Sequence, residues 1–256
     1  MSGIEGLAGK VFTKLGLTVT RSSTLENRLP VEASESESQI IGRVRPFTMT
    51  SSSRIWSLLK SVQYIQEFSI PGDFVECGVW RGGSVMAMAF QLSSLGVTDR
   101  RIWLYDTFEG MTPPSAADVE TVGGMSAENL LASTNVADGN NVWCVAGLDD
   151  VKANLKLTGY PSNQFTFVQG DVAETLLDSV PGSISLLRLD TDWYESTKAE
   201  LEVLYPRLAP GGVCILDDYG QWAGARLAVD EFFQDIGARP LMNPIDYSGR
   251  IFVKPN

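Results

Sequence analysis

Residues 71–84 read PGDFVECGVWRGGS, and the fold follows from how this stretch is read. A Pro-Gly turn leads into a short apolar strand, Asp73–Cys77, with Glu76 near its end. Gly78, Gly82 and Gly83 shape a bend that opens at Ser84 onto the helical run VMAMAFQL. A strand that feeds a helix through glycines lets a ligand approach bare backbone, where the helix N-terminus offers free N–H groups. Such a unit is the expected first strand and helix of a nucleotide-binding α/β domain.

The spacing narrows the ligand. The glycines read G-x-x-x-G-G instead of the dinucleotide pattern G-x-G-x-x-G, and the Lys-Ser/Thr ending of a phosphate-binding loop is missing. Glu76 beside the bend would repel a pyrophosphate but suits a ligand carrying a cation or a free amine. That favours S-adenosylmethionine over a nicotinamide cofactor.

Working outward, strands and helices alternate. Upstream, residues 1–20 place Leu7, Val11, Phe12 and Leu15 at helical spacing, and residues 21–46 are polar and rich in Ser and Glu. Residues 1–46 are therefore read as a helix and a polar arm, either a linker or a segment that orders on a partner subunit. The domain proper is 47–256. Within it, 47–53 caps a helix over 54–68. Downstream, 102–105 is a strand ending at Asp106, and 111–142 has little periodicity and reads as a lid loop. Helices are expected over 148–157, 173–179, 194–208 and 222–236. Strands are expected over 165–168, 184–189, 212–216, 239–242 and 250–254. Alternation closed by a hairpin-like pair implies an α/β fold with a mostly parallel sheet and an antiparallel edge.

Composition removes several function classes. The chain has 256 residues and a net charge of −11, which argues against a nucleic-acid or anionic-membrane partner. No apolar run approaches the ~20 residues that span a bilayer, and the N-terminus does not read as a signal peptide. With three cysteines, Cys77, Cys144 and Cys214, the chain reads as reduced and cytoplasmic. It contains no histidine, so neither a Ser-His-Asp system nor a His-ligated metal is possible. Any metal must sit among oxygens, as Mg²⁺ or a similar hard ion does.

Carboxylates stand where open α/β sheets bind ligands, beyond the C-terminal ends of the strands. Asp106 is either placed for a ribose diol or an ordinary turn or N-cap aspartate, and Asp171 follows the strand at 165–168. Leu189 leads into Asp190-Thr191-Asp192, and Leu216 into Asp217-Asp218-Tyr219. Carboxylates converging on one crevice repel one another unless a cation neutralises them. Asp190, Asp217 and Asp218 are thus candidate metal ligands. Asp192 is a candidate base, although Asp190 could also serve. Arg81 either meets a cofactor carboxylate or pairs with a surface acid. Tyr219 either lines an acceptor pocket or packs under the next helix.

Taken together, FVECGVWRGGS, LYDTFEG, LLRLDTDWYEST and APGGVCILDDYG resemble the macrocin and mycinamicin O-methyltransferase family (TylF, MycF and NovP type), from about Thr48 to the C-terminus. The resemblance implies a Rossmann-like class I fold with seven strands and helices on both faces. It also implies S-adenosylmethionine and Mg²⁺ as cofactors, and methylation of sugar hydroxyls on antibiotics. On this resemblance Glu76, Gly78 and the bend through Val79, Arg81, Gly82 and Ser84 hold the methionine part. Asp106 binds the ribose, Gly170 and Asp171 lie near the adenine, and Thr48 and Met49 close over the cofactor. Asp190, Asp217 and Asp218 hold the metal, with Asp190 or Asp192 near the acceptor hydroxyl. The expected partner is a sugar-containing small molecule, with self-association through the N-terminal arm. Two other readings compete: a glycosyltransferase using Asp190-Thr191-Asp192 as a D-x-D site, and a non-catalytic cofactor-binding protein.

Overall fold

The computed structural model describes residues 28–135 and 142–255. Its centre is a seven-stranded sheet built from β1 (Asp73–Cys77), β2 (Ile102–Asp106), β3 (Phe165–Gln169), β4 (Ile184–Leu189), β5 (Leu208–Leu216), β6 (Asn243–Pro244) and β7 (Arg250–Val253). The strand order is β3-β2-β1-β4-β5-β7-β6. β1 to β5 run parallel, and β7 pairs antiparallel with both β5 and β6. The mostly parallel sheet with an antiparallel edge is as expected. The strand order reverses beside β1, between β1 and β4, so a crevice opens where the C-terminal ends of these strands diverge.

The helices are α1 (Glu35–Val44), α2 (Ser52–Glu67), α3 (Gly83–Ser94), α4 (Ala127–Ser133), α5 (Leu148–Lys156), α6 (Val172–Thr175), α7 (Tyr194–Leu204) and α8 (Ala223–Asp235). They cover both faces of the sheet, which is why β4 (ISLLRL) is buried at every position and reads as a continuous apolar run around one arginine. α3 is apolar all round because it lies between the sheet and two helices, α1 and α2; every residue from Gly83 to Leu92 is buried.

The segment read as a polar linker or arm folds differently. Its Ser and Glu residues form a capping box: Ser34 accepts from the Glu37 N–H, and the Glu37 carboxylate accepts from the Ser34 N–H. The helix so started, α1, buries Ile40, Ile41 and Val44 in the core beside α3. The expected helix at 1–20, and self-association through that end, lie outside the described residues. The loop at 111–142 contains α4 and two short bridges, Val119 with Ser126 and Glu120 with Trp222. Three boundaries also move. The helix expected at 173–179 is only α6, α7 gives way at Tyr205 to a single 3₁₀ turn, and the strand expected at 239–242 is displaced to β6. No helix among the described residues is long and apolar enough to cross a membrane.

Candidate active site

The strand ends position the site by continuing the ladder one residue beyond each strand. Gly78 N–H donates to the Tyr105 carbonyl, Asp190 N–H to Cys77, and Asp217 N–H to Leu189. A Cβ on Gly78 would overlap the Asp190 carbonyl, and its φ of +81° favours glycine. Above these ends lies a cavity closed from the far side by residues 47–50 and bordered by Gly110, Met111 and Thr112.

Most expected site residues line that one cavity. Thr48, Met49, Glu76, Gly78, Val79, Ser84, Asp106, Gly170 and Asp171 line it. Asp190, Asp192, Asp217 and Asp218 line it as well, Asp190 and Asp217 being joined to Glu76 through Arg188. Arg81 and Gly82 are not among the lining residues. The Arg81 guanidinium pairs with Asp150 of α5 at 3.0 Å and donates to the Pro46 carbonyl, so its partner is the surface acid. Gly82 is the left-handed N-cap of α3 and faces Val151 and Leu155. Tyr219 is also absent from the lining. Its hydroxyl donates to Asp230 of α8, and its ring lies between Arg226 and Arg250.

Asp106 fastens the glycine bend. One oxygen accepts the N–H groups of Val79 (2.6 Å) and Trp80 (3.0 Å), and the other accepts that of Phe108 (2.7 Å). Burial raises its pKa, and these three backbone donors oppose the rise. Glu76 is 1% exposed, with one oxygen on Arg188 at 2.8 Å. Its second oxygen, Oε2, has no hydrogen-bond partner. Burial pushes this carboxyl up to about 7 against the pull of Arg188. Glu76 lines the cavity, and a buried carboxylate with one oxygen unpaired fits a ligand ammonium.

In the acidic cluster, ligand oxygens of Asp190, Asp217 and Asp218 lie within 4.8 Å of one another. Three carboxylates with no nitrogen or sulfur donor suit a hard divalent cation. Burial drives Asp190 and Asp218 well above the carboxylate range. Burial, with the charge of Asp190, pushes Asp192 up to about 7. In Asp217 burial acts the same way but is overcome by Arg188 and Arg54, which hold it below its ordinary value. Asp192 sits at a left-handed φ of +67°, and Trp222 Nε1 donates to its carboxylate at 2.9 Å. Trp80 and Cys144, also with positive φ, line the same cavity, so unfavourable backbone is concentrated here.

A family model described as "Macrocin-O-methyltransferase (TylF)" matches residues 19–254. The chain belongs to the macrocin O-methyltransferase family. It is 35% identical over 246 residues to the 8-demethyl-8-(2,3-dimethoxy-alpha-L-rhamnosyl)-tetracenomycin-C 4'-O-methyltransferase of Streptomyces olivaceus, covering 95% of this chain and 89% of the relative. It is 33% identical over 202 residues to the mycinamicin III 3''-O-methyltransferase of Micromonospora griseorubida, covering 79% and 76%. Among solved structures, the O-methyltransferase NovP superposes with a TM-score of 0.72 at 25% identity, covering 98% of this chain and 99% of that one. The protein is an O-methyltransferase of the class I fold whose methyl donor is S-adenosylmethionine. The glycosyltransferase and non-catalytic readings give way to that membership.

The methyltransferase site also contains residues that sequence reasoning missed. Arg188, 2% exposed, ties Glu76, Asp190 and Asp217 together. Arg54, from α2, pairs with Asp217 and Asp246. The acids therefore carry two built-in counter-charges. A signal was visible: an arginine inside a strand that is otherwise apolar, two residues before an aspartate, has to be paired. The loop at 111–142 is anchored as well. Asp118 accepts the Tyr194 N–H at 2.8 Å, and Trp193 Nε1 donates to the Thr112 carbonyl at 3.0 Å.

Proposed function

We propose that the methyltransferase transfers its methyl group to a sugar hydroxyl of a glycosylated small molecule, with a divalent cation such as Mg²⁺ held by Asp190, Asp217 and Asp218. The observation that carries the cation is the meeting of those three carboxylates within 4.8 Å, in the cavity that also contains the unpaired oxygen of Glu76. Five carboxyl groups (Glu76, Asp190, Asp192, Asp217 and Asp218) face two guanidiniums, and burial leaves all but Asp217 raised, so a cation among them would favour their ionised forms. The sugar acceptor is supported by relatives whose names place their methyl groups on glycosylated products.

In this reading Glu76 receives the donor's ammonium, Asp106 and Asp171 face its ribose and adenine, and Thr48 and Met49 close over it. A divalent cation at the three aspartates would favour the deprotonated form of an acceptor hydroxyl in contact with it. Asp192 takes the proton, because Asp190 is committed to Arg188 at 2.8 Å whereas Asp192 is oriented by Trp222. A lone pair of the acceptor oxygen forms the O–CH₃ bond as the S–CH₃ bond breaks. The proton stays on the Asp192 carboxylate, and S-adenosylhomocysteine is left. Aligning the two reactants is the larger part of such a displacement.

The test is incubation with S-adenosylmethionine and a panel of glycosylated polyketides and their aglycones, analysed by mass spectrometry with and without chelator. Methylation of glycosides only, lost on chelation and in Asp218→Asn, is expected. Methylation of the aglycones, or full turnover after chelation, refutes the acceptor or the cation respectively.

A further inference from the structure

The acids of the site are held by protein charges. Arg188 rises from β4 with both terminal nitrogens occupied. Nη1 meets Glu76 Oε1 and Asp190 Oδ2, each at 2.8 Å, and Nη2 meets Asp217 Oδ1 at 2.7 Å and Thr50 Oγ1 at 3.1 Å. Arg54 takes the other oxygen of Asp217. Arg188 is thereby bonded to two of the three candidate cation ligands, to the cofactor-side acid and to the segment that covers the cavity. Its backbone is fixed on both sides, since it is the register partner of Glu76 in β1 and of Ile215 in β5. A planar fork on a central strand is a rigid device for spacing carboxylates.

We propose that Arg188, with Arg54 as its auxiliary, is a built-in counter-charge that holds Asp190 and Asp217 together while the cation is absent and opposes the cation's charge once it arrives. The site is then assembled before the cation arrives, and the cation completes it. The proposal rests on the cation reading given above, and it has an unusual consequence. A fixed positive charge beside the ligands weakens cation binding while it stabilises the empty site. Removing that charge should tighten cation binding and destabilise the cation-free protein. A side chain that merely filled space would do only the second.

The experiment uses the full chain, stripped with chelator and titrated calorimetrically with MgCl₂ and then MnCl₂, alongside thermal melts. In Arg188→Met the cation-free melt should fall, largely recover with Mg²⁺, and Mg²⁺ should bind about tenfold tighter or more, the size of one unit charge at a few ångströms in a partly screened interior. Arg188→Lys, which keeps the charge, should bind Mg²⁺ within about threefold of the parent. Arg54→Met should shift in the same direction by less, because its side chain is 18% exposed and water replaces part of the pairing. The stripped parent should still bind S-adenosylhomocysteine. Unchanged or weaker Mg²⁺ binding in both Met variants overturns the proposal. If Arg188→Met does not fold even with Mg²⁺, Arg54→Met decides it alone. A parent chain that binds neither cation overturns the cation reading itself, and this proposal with it.

Discussion

Replacing Glu76 with Gln tests the cofactor assignment with little change of shape. One oxygen of Glu76 is taken by Arg188, and the other is buried without a partner in a residue that lines the cavity. A ligand ammonium placed there gains a charge-assisted hydrogen bond, worth roughly 1.5–3 kcal/mol. Glutamine keeps an acceptor but loses the charge, so S-adenosylhomocysteine should bind about tenfold to a hundredfold more weakly. The fold should survive, because Arg188 retains Asp190 and Asp217 as partners. The pH dependence gives a second and sharper readout. Burial holds the Glu76 carboxyl at about 7 in the free protein, so below pH 7 the site takes up a proton that the ligand must displace. Affinity of the parent should therefore fall as pH drops from 7, by up to tenfold per unit, and then level off, since a bound ammonium lowers the carboxyl pKa. The Gln variant should be flat over the same range. Calorimetric titration at pH 8, 7 and 6, with melts to confirm folding, measures both. Affinity within twofold of the parent, or an equal pH slope in the two proteins, would refute the assignment.

Three other changes probe the surroundings. A Cβ in Gly83→Ala would lie 2.6 Å from the Phe47 carbonyl and from the Thr48 Cβ. Displacing that segment should cost about 1–3 kcal/mol in a melt and weaken S-adenosylhomocysteine binding. Asp118→Ala removes the acceptor of the Tyr194 and Ser115 N–H groups and should cost about 1–3 kcal/mol. Turnover should fall while S-adenosylhomocysteine still binds, because this loop is bridged to Trp222, which orients Asp192; loss of cofactor binding would contradict this. Glu200, fully buried, accepts from Thr191 at 2.9 Å, and burial pushes it up to about 8. Its folded pKa lies above the unfolded one, so its contribution is complete below about pH 4.5 and is lost as pH rises through 8. Glu200→Gln should thus gain on the parent between pH 5 and pH 8, by up to a few kcal/mol, in paired thermal or urea melts. A constant difference would refute that.

The centre of the sheet was legible because β1, β2 and β4 are short, largely apolar runs with turns on either side, and burial on both faces leaves that pattern regardless of the rest of the fold. The acids after β4 and β5 were legible for a related reason. A polar residue directly after a buried run stands at a strand end, and parallel strands bring such ends to one edge. What was not legible depends on partners far along the chain. Arg81 stands beside the glycine bend, but its partner Asp150 is 69 residues away on a crossover helix. Asp217 and Arg54 are 163 residues apart. Glu76 and Arg188 meet only because β1 and β4 pair in that register. The polar composition of 21–46 was misleading in its own way: a capping box is made of Ser and Glu, so the residues that start α1 are those that make it look unstructured.

These long-range pairs change the argument for the cation without removing it. Local pattern locates carboxylates but does not give the charge around them. The inference that converging acids require a metal therefore omitted the protein's own cations. Once Arg188 and Arg54 are counted, repulsion alone no longer requires a cation, since each carboxylate oxygen of Asp217 already has a guanidinium partner. What still favours one is the distribution of the charge. The arginines pair with Glu76, Asp190 and Asp217, whereas Asp218 and Asp192 face each other across a hydrogen bond of 3.3 Å from the Asp192 N–H to the Asp218 carboxylate. Neither of them is paired with Arg188 or Arg54, and burial raises both carboxyls, so the side nearer Trp222 is where a cation would change the ionisation most. A cation held by the three aspartates would bring positive charge to Asp218, which neither arginine pairs with, beside the residue assigned to take the acceptor's proton.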